Sequence, residues 1–421
     1  MNGQEVKVPP LRFRMPPVDN AESAETGGGR ILAVPWREKR LGNIFTERQS
    51  RSIHGELLSV SINSGVFPAS QNGRYDNSSI GNGNYKCVVH GDIAYNSMRM
   101  WQGACGASAY DGLVSPAYTV VIPDDEADSV FFEYAFKRNE MLFAFRQHSQ
   151  GLTSDTWNLK YPLFAQIPIC SPALSEQRQI ASLFRSLDAL IAGREKALEK
   201  LEVMKKAMLQ KMFPQGDVKV PEVRFKGFTG EWEKKRLGDF GDCQSGEGFP
   251  EIEQGGKEGI PFFKVSDMNL PGNDSELVNA NNYVTEEQIK KSAWHPVEKL
   301  PAIFFAKVGA AVMLNRKRVV KMRFLLDNNT MAFRLDDSID ADFAKSLFDT
   351  IDLSALSQTG ALPSINASDV EDMLVLTPID ISEQRKIGTY FRSLDTLLAA
   401  RREEVEKLKQ MKKALLERMF V

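Results

Sequence analysis

Two stretches decide the fold: SEQRQIASLFRSLDALIAGREKALEKLEVMKKAMLQKMF at 175–213 and SEQRKIGTYFRSLDTLLAARREEVEKLKQMKKALLERMF at 382–420. They align without a gap and 23 of 39 positions are identical, so the chain is a tandem repeat. Each opens on a serine suited to cap a helix, Ser175 or Ser382, with Glu176 or Glu383 next, where the helix dipole favours negative charge. No proline follows within either block, and the only glycines are Gly193 and Gly388, so a helix is predicted to run to Pro214 in the first copy and to the chain end in the second. At about 1.5 Å per residue, such a helix is roughly 58 Å long.

Apolar residues recur every seven positions. Ile180, Leu187, Leu201 and Met208 form one line and Leu183, Leu190, Ala197 and Met204 a second; Ile387, Leu394, Leu408 and Leu415, then Tyr390, Leu397 and Met411, repeat both lines in the second copy. This is the a/d pattern of a coiled coil, interrupted on the first line only by Arg194 and Arg401, and a polar residue at such a position fixes register. A seam repeated at the same register is expected to pair the two helices with each other rather than only with their own domains. Antiparallel pairing would place the intervening segments at opposite ends of a rod about a pseudo-two-fold axis, and parallel pairing would place them side by side. Phe184, Ile191 and Leu198 fall outside both lines and are expected on the outer face, needing a partner to cover them. The blocks carry 18 basic and 11 acidic residues, a surplus that suits phosphates but is also what a solvated helix face looks like.

Upstream of each helix the repeat continues. VKVPPLRF at 6–13 matches VKVPEVRF at 218–225 in six of eight positions, and WREKRLGNI from Trp36 matches WEKKRLGDF from Trp232 at Trp, Lys, Arg, Leu and Gly. Between the Trp and the SEQR block lie 138 residues in the first half and 149 in the second, with no comparable similarity. Residues 14–35 are longer than their counterpart and, with NAESAETGGGR, read as a linker.

Both inserts read as compact mixed α/β domains, with short apolar runs between Gly and Asn punctuation and a helical stretch near the end. In the first, Asn96, Arg99, Trp101 and Gln102 within YNSMRMWQ, together with Arg74 in SQNGRYDN, are side chains that bond base edges: Arg bridges guanine, Asn and Gln bridge adenine. The competing reading of YNSMRMWQ is a core strand with a buried Trp. In the second, Arg316, Lys317, Arg318, Lys321 and Arg323, followed by Asn328 and Asn329, form a basic cluster expected in a hairpin or loop, suited to phosphate or groove contact or else a solubilising sheet edge.

A charged fraction of 26% with a net charge of -2 fits an ordinary globular protein and leaves DNA neither supported nor excluded. The absence of a long apolar run and of a secretory leader in MNGQEVKVPP points to a cytoplasmic protein without membrane association. Cys87, Cys105, Cys170 and Cys243 lie too far apart for a zinc or disulfide framework, and His54, His90, His148 and His295 have no ligand spacing, so no metal site is expected.

The duplicated SEQR-to-MF helix, the VPxxRF and WxxxRLG entries to each half, and MRMWQGACG...GLVSPAY at 98–118 resemble the specificity subunit of type I restriction-modification systems, over nearly the whole chain from Val6 to Phe420. The resemblance implies an α+β fold of two target-recognition domains separated by two long antiparallel coiled-coil helices. Its parts would be an N-terminal segment and linker at 1–30, recognition domains at 31–174 and 217–381, and spacer helices at 175–216 and 382–421, with Ile180, Leu187, Arg194, Leu201, Ile387, Leu394, Arg401 and Leu408 in the seam. It further implies a bipartite double-stranded DNA site, two methyltransferase subunits acting on adenine N6, and restriction subunits for cleavage. S-adenosylmethionine, ATP and Mg would then bind in those partners. Consistent with a non-catalytic chain, there is no (N/D)PP(Y/F) motif, no P-loop and no nucleophile paired with a base. The alternative is a scaffold whose two domains bind proteins.

Overall fold

The computed structural model describes residues 9–13, 36–72, 84–216, 218–357 and 363–421. The chain divides into two compact units, Met1–Gly193 with Glu406–Val421, and Arg194–Val405. The first contains β1 (Arg37–Arg40), β2 (Phe45–Glu47), β3 (Arg51–Ser52), β4 (Leu58–Ser61), β5 (Gly65–Pro68), β6 (Tyr85–Val88), β7 (Ile93–Asn96), β8 (Cys105–Ala107), β9 (Gly112–Val114) and β10 (Tyr118–Pro123). Then come α1 (Ser129–Phe136), α2 (Asn139–His148), α3 (Tyr161–Phe164), β11 (Pro168–Ser171) and the long helix α4 (Leu174–Met212), which contributes to both units. The second unit adds β12 (Glu233–Arg236), β13 (Gly241–Ser245), β14 (Ile260–Phe263), β15 (Tyr283–Val284), α5 (Glu286–Ser292), β16 (Ala302–Ala306), β17 (Lys317–Val320), β18 (Leu325–Leu326) and β19 (Thr330–Leu335). It closes with α6 (Ala341–Thr350), α7 (Ala367–Glu371), β20 (Leu374–Thr377) and α8 (Ile381–Arg418), the last also shared between units.

The two inserts, dissimilar in sequence, share the topology of their main sheet and ribbon. The first unit has a four-stranded antiparallel sheet β2-β10-β7-β8 and the second β13-β19-β16-β17. A two-stranded ribbon accompanies each, β1 with β11 and β12 with β20. The central strands alternate between two cores, as the two-residue period of a strand requires. In β16, Ile303 and Phe305 enter the cluster that holds the long helices while Ala302 and Phe304 enter another; in β7, Ile93 and Tyr95 face one way and Ala94 the other.

The repeated motifs are the joints of this frame. Arg12 and Arg224, from the two VPxxRF stretches, each grip the glutamate of a SEQR block with two nitrogens: Arg12 Nε donates to Glu176 Oε1 at 2.8 Å, and Arg224 donates to both oxygens of Glu383 at 2.7 and 2.8 Å. The neighbouring glutamine caps the insert. Gln177 Oε1 accepts the N–H of Asp128 at 2.9 Å and Gln384 Oε1 that of Asp340 at 3.0 Å, and each of these aspartates in turn caps the helix it precedes, α1 or α6. Trp36 is buried against Phe131 and Phe420, and Trp232 against Phe213 and Phe343, with ring centroids 5.7–6.0 Å apart. The last phenylalanine of each SEQR block is therefore a core residue. The glycines of the two RLG triplets lie under the short helices: a Cβ on Gly42 would come within 2.8 Å of Ala165.

Within each unit the long helices run antiparallel. In the second, Glu202 pairs with Arg402 and Lys205 with Asp395, and Arg194 and Arg401 converge on Glu404 at 3.0 and 2.7 Å. In the first, Asp188 pairs with Lys412 and Phe184 packs at a tilt 6.0 Å from Phe420. Ile180, Leu187, Ile387 and Leu394 are buried, and Leu201 and Leu408 half-buried.

Two expectations about these helices are corrected. The second seam line is not Leu183, Leu190, Ala197 and Met204: Leu190, Met204, Leu397 and Met411 are 41–46% exposed. Phe184 and Ile191, expected outside, are buried instead, as are Phe391, Leu398 and Val405. Both choices keep a heptad; the covered flank is decided by the insert, whose Tyr134 packs 5.0 Å from Phe184, and a sequence period cannot see that. The serines are also not the caps, because the helices start earlier, at Leu174 and Ile381, and Asp380 accepts the N–H of Ser382.

Candidate nucleic-acid interface

The four-stranded sheet of each unit ends in a tight connection built on the same plan. After β7, Ser97 O accepts the N–H of Leu159 at 2.8 Å, and Met100–Gln102 make one 3-10 turn that closes on Gly103 at φ 86°, a left-handed conformation glycine adopts without strain. After β16, Lys307 O accepts the N–H of Ile365 at 3.0 Å, and Ala310–Leu314 make a 3-10 turn that closes on Asn315 at φ 50°. Asparagine is among the few other residues that tolerate this region. Met100 and Val312, three residues before the left-handed one, are buried anchors, which makes Trp101–Gln102 and Met313–Leu314 equivalent pairs.

In the first unit the turn gathers Asn96, Arg99, Trp101 and Gln102. Asn96 Oδ1 accepts the Met98 N–H at 3.0 Å, and Trp101 Nε1 donates to Met98 O at 3.1 Å. Arg99, exposed, reaches Gln102 Oε1 at 3.4 Å. Tyr95, Ser97 and Met100 of the same segment belong to the core, so the segment is half strand and half exposed turn. Arg74 lies outside the described residues.

The sequence reading missed what stands beside this turn. Trp157 meets Trp101 edge to face at 5.1 Å, Arg146 caps the outer ring at 5.0 Å, and Leu152 on the same 149–158 loop is fully exposed. A Trp within GLTSDTWN, a run of turn-forming residues, was the available signal. The result is a platform of two indoles and two guanidiniums, suited to stacking and phosphate contact.

The basic cluster of the second unit lies in a hairpin, one of the two placements expected for it: Lys317–Val320 form strand β17, antiparallel to β16 at the end of the sheet, and its charges have partners. Lys317 is 3% exposed and donates to Ile351 O at 2.6 Å and Asn315 Oδ1 at 2.7 Å; burial pushes its ammonium down to about 8. It cannot reach a phosphate. Arg318 donates to the backbone oxygens of Asn273 and Lys317, Lys321 pairs with Glu276, and Arg323 with Glu286 and Glu298. Arg316 donates to Asn269 Oδ1 at 2.7 Å. Asn328 and Asn329 are exposed, and Asn329 O accepts the Lys307 N–H at 2.8 Å, which puts that turn against the β16–β17 connection.

Among the described residues no helix is long and apolar enough to cross a membrane. The family model for the type I restriction modification DNA specificity domain matches residues 229–409. The type I restriction enzyme MjaVIII specificity subunit of Methanocaldococcus jannaschii is 23% identical over 309 residues, covering 69% of this chain and 68% of that one. The putative MjaX specificity subunit of the same organism is 26% identical over 317 residues, covering 72% and 67%. The crystal structure of a type I restriction-modification S subunit from M. genitalium superposes with a TM-score of 0.61 at 14% identity over 93% of this chain and 97% of that one. A second solved chain, from work on assembly and conformational transition of the type I R-M system, gives 0.55 at 17% identity over 91% and 97%. With the repeated frame and the two equivalent turns, these likenesses give the chain the fold of solved type I restriction-modification S subunits and, over residues 229–409, a match to the type I restriction modification DNA specificity domain.

Proposed function

We propose that each unit reads one half of a bipartite double-stranded DNA site and that all chemistry belongs to partner subunits. The observation that carries this reading is a contrast within the repeat. The joints Arg12–Glu176 and Arg224–Glu383 are duplicated, while the equivalent turn presents Trp101–Gln102 in one unit and Met313–Leu314 in the other. Constant support under a changed contact surface is what two recognisers of different sequence need. On this reading the recognition domains are 31–174 and 217–381, and the helices at 175–216 and 382–421 carry the assembly.

The partners are two methyltransferase subunits that modify adenine N6 and restriction subunits that cleave. S-adenosylmethionine, ATP and Mg bind in those partners, and this chain acts without a catalytic group, in the cytoplasm. The outward line of the long helices supports two docking faces for two like partners. Leu190 and Met411 lie at one level of the first unit's helix pair, beside Asp188–Lys412, and Met204 and Leu397 at the matching level of the second, beside Lys205–Asp395. Exposed apolar side chains repeated at one register mark a protein contact.

The test is a genome-wide map of N6-methyladenine in cells expressing the chain with a methyltransferase subunit of its system, against cells expressing either alone. A new bipartite motif requiring both is expected. Copurification without any motif would favour a protein scaffold, whose apolar contacts would also lack the steep salt dependence of phosphate binding.

A further inference from the structure

We infer that Met313 and Leu314 are the base-contacting pair of the second unit and that they read a thymine methyl group. The inference rests on the DNA-reading function proposed above and assigns its second half-site to residues that no motif marks. Four observations place the pair. The β16–β17 connection is the counterpart of the β7–β8 connection by strand order, by the Lys307–Ile365 and Ser97–Leu159 backbone bonds, and by the left-handed residue that closes each turn. Met313 and Leu314 are each 60% exposed, although the turn is anchored by Val312 at 2%. The exposed Asn328 and Asn329 lie beside the start of the same connection, where Asn329 O accepts the Lys307 N–H at 2.8 Å. The basic residues at 317–323, the obvious alternative, are held by Ile351, Asn273, Glu276 and Glu286.

Neither side chain can donate or accept a strong hydrogen bond, so the pair cannot read the donor and acceptor pattern of a groove. The one apolar group on a base edge is the thymine 5-methyl, in the major groove. The second half-site should therefore contain at least one T·A pair whose methyl faces this turn.

The experiment uses the full chain with its methyltransferase partner, and synthetic duplexes bearing the mapped site. With the wild-type chain, replacing the relevant thymine by deoxyuridine in the second half-site should lower methylation at least about fivefold, the low end of the usual penalty for one wrong base pair. M313A/L314A should lose that preference, methylating thymine and deoxyuridine duplexes alike, while discrimination in the first half-site stays intact. M313Q, which keeps the chain length, should show the same loss; both side chains lie outside the core, so partner binding and Tm should not move. Retention by both variants of the wild-type preference at every position would overturn the inference. So would broadened recognition without any deoxyuridine effect in the wild type, because the pair would then act on something other than a methyl. A wild-type complex that yields no bipartite motif would instead bring down the parent reading.

Discussion

The first unit presents two indoles beside two guanidiniums where the second presents a methionine and a leucine followed by an asparagine, on sheets of the same strand order. Beneath these surfaces the joints are nearly superimposable in their chemistry. The comparison teaches where repetition is needed: the arginine–glutamate grip, the glutamine cap and the three-ring aromatic core recur because they set the helix against the insert. The turn recurs in backbone only, through Gly103 in one unit and Asn315 in the other. The shared joints and the differing turns are thus made of different residues, and each can be changed alone.

The strongest way to break that separation is at the grip. Arg224→Ala leaves the Glu383 carboxylate buried without its partner, and losing one member of such a pair costs about 3 kcal/mol. Arg12→Ala should cost a similar amount through Glu176, measured as the shift in urea-unfolding free energy. Unequal losses would show the frame is less repeated than it looks.

Lys317 offers a contrast of the opposite kind, since its equivalent in β8 is Cys105, each facing the strand before it at the same register. Its folded pKa of about 8 lies below the ordinary 10.5, so between those values the unfolded chain holds the proton that the folded chain has released. Stability should therefore rise with pH across that window, by about 3 kcal/mol at most, and level off above it. Lys317→Met should flatten the rise; an unchanged slope would assign it to other groups.

At the turn proposed to contact DNA, Trp101→Ala should cost about 1–2 kcal/mol of discrimination, roughly ten-fold, in the first half-site and none in the second. Competition binding with duplexes altered in one half at a time measures both. The smallest effect belongs to Lys321→Ala and Arg323→Ala, whose charges are already paired on the surface. DNA affinity should change less than about fivefold, because such pairs are worth about 1 kcal/mol or less. A steep loss with a reduced salt slope would restore them as phosphate contacts.

Much of this architecture was legible in the sequence. The gapless repeat and unbroken heptads of 175–213 and 382–420 predicted two long helices, because helix periodicity and the lack of breakers are local properties. The choice between Leu190 and Ile191 for the buried flank was not legible, since both lines satisfy a heptad and only the insert's packing separates them. Nor was the purpose of Arg12 and Arg224 visible, because their glutamates lie 164 and 159 residues away. Asn96, Arg99, Trp101 and Gln102 could be named together because they are close in sequence, and one turn gathers them. Trp157 and Arg146 were missed because the fold, not the chain, brings them there. The run from Arg316 to Arg323 left two readings open for a complementary reason: charge is countable in sequence, but whether it is already satisfied depends on strand β17 and what lies across from it.

The most direct test of two independent readers on one repeated frame is to exchange residues 36–174 for the corresponding insert of another specificity subunit and map methylated adenines with the same methyltransferase partner. One half of the motif should change to that of the donor while the other half is kept. A motif altered in both halves would contradict the account.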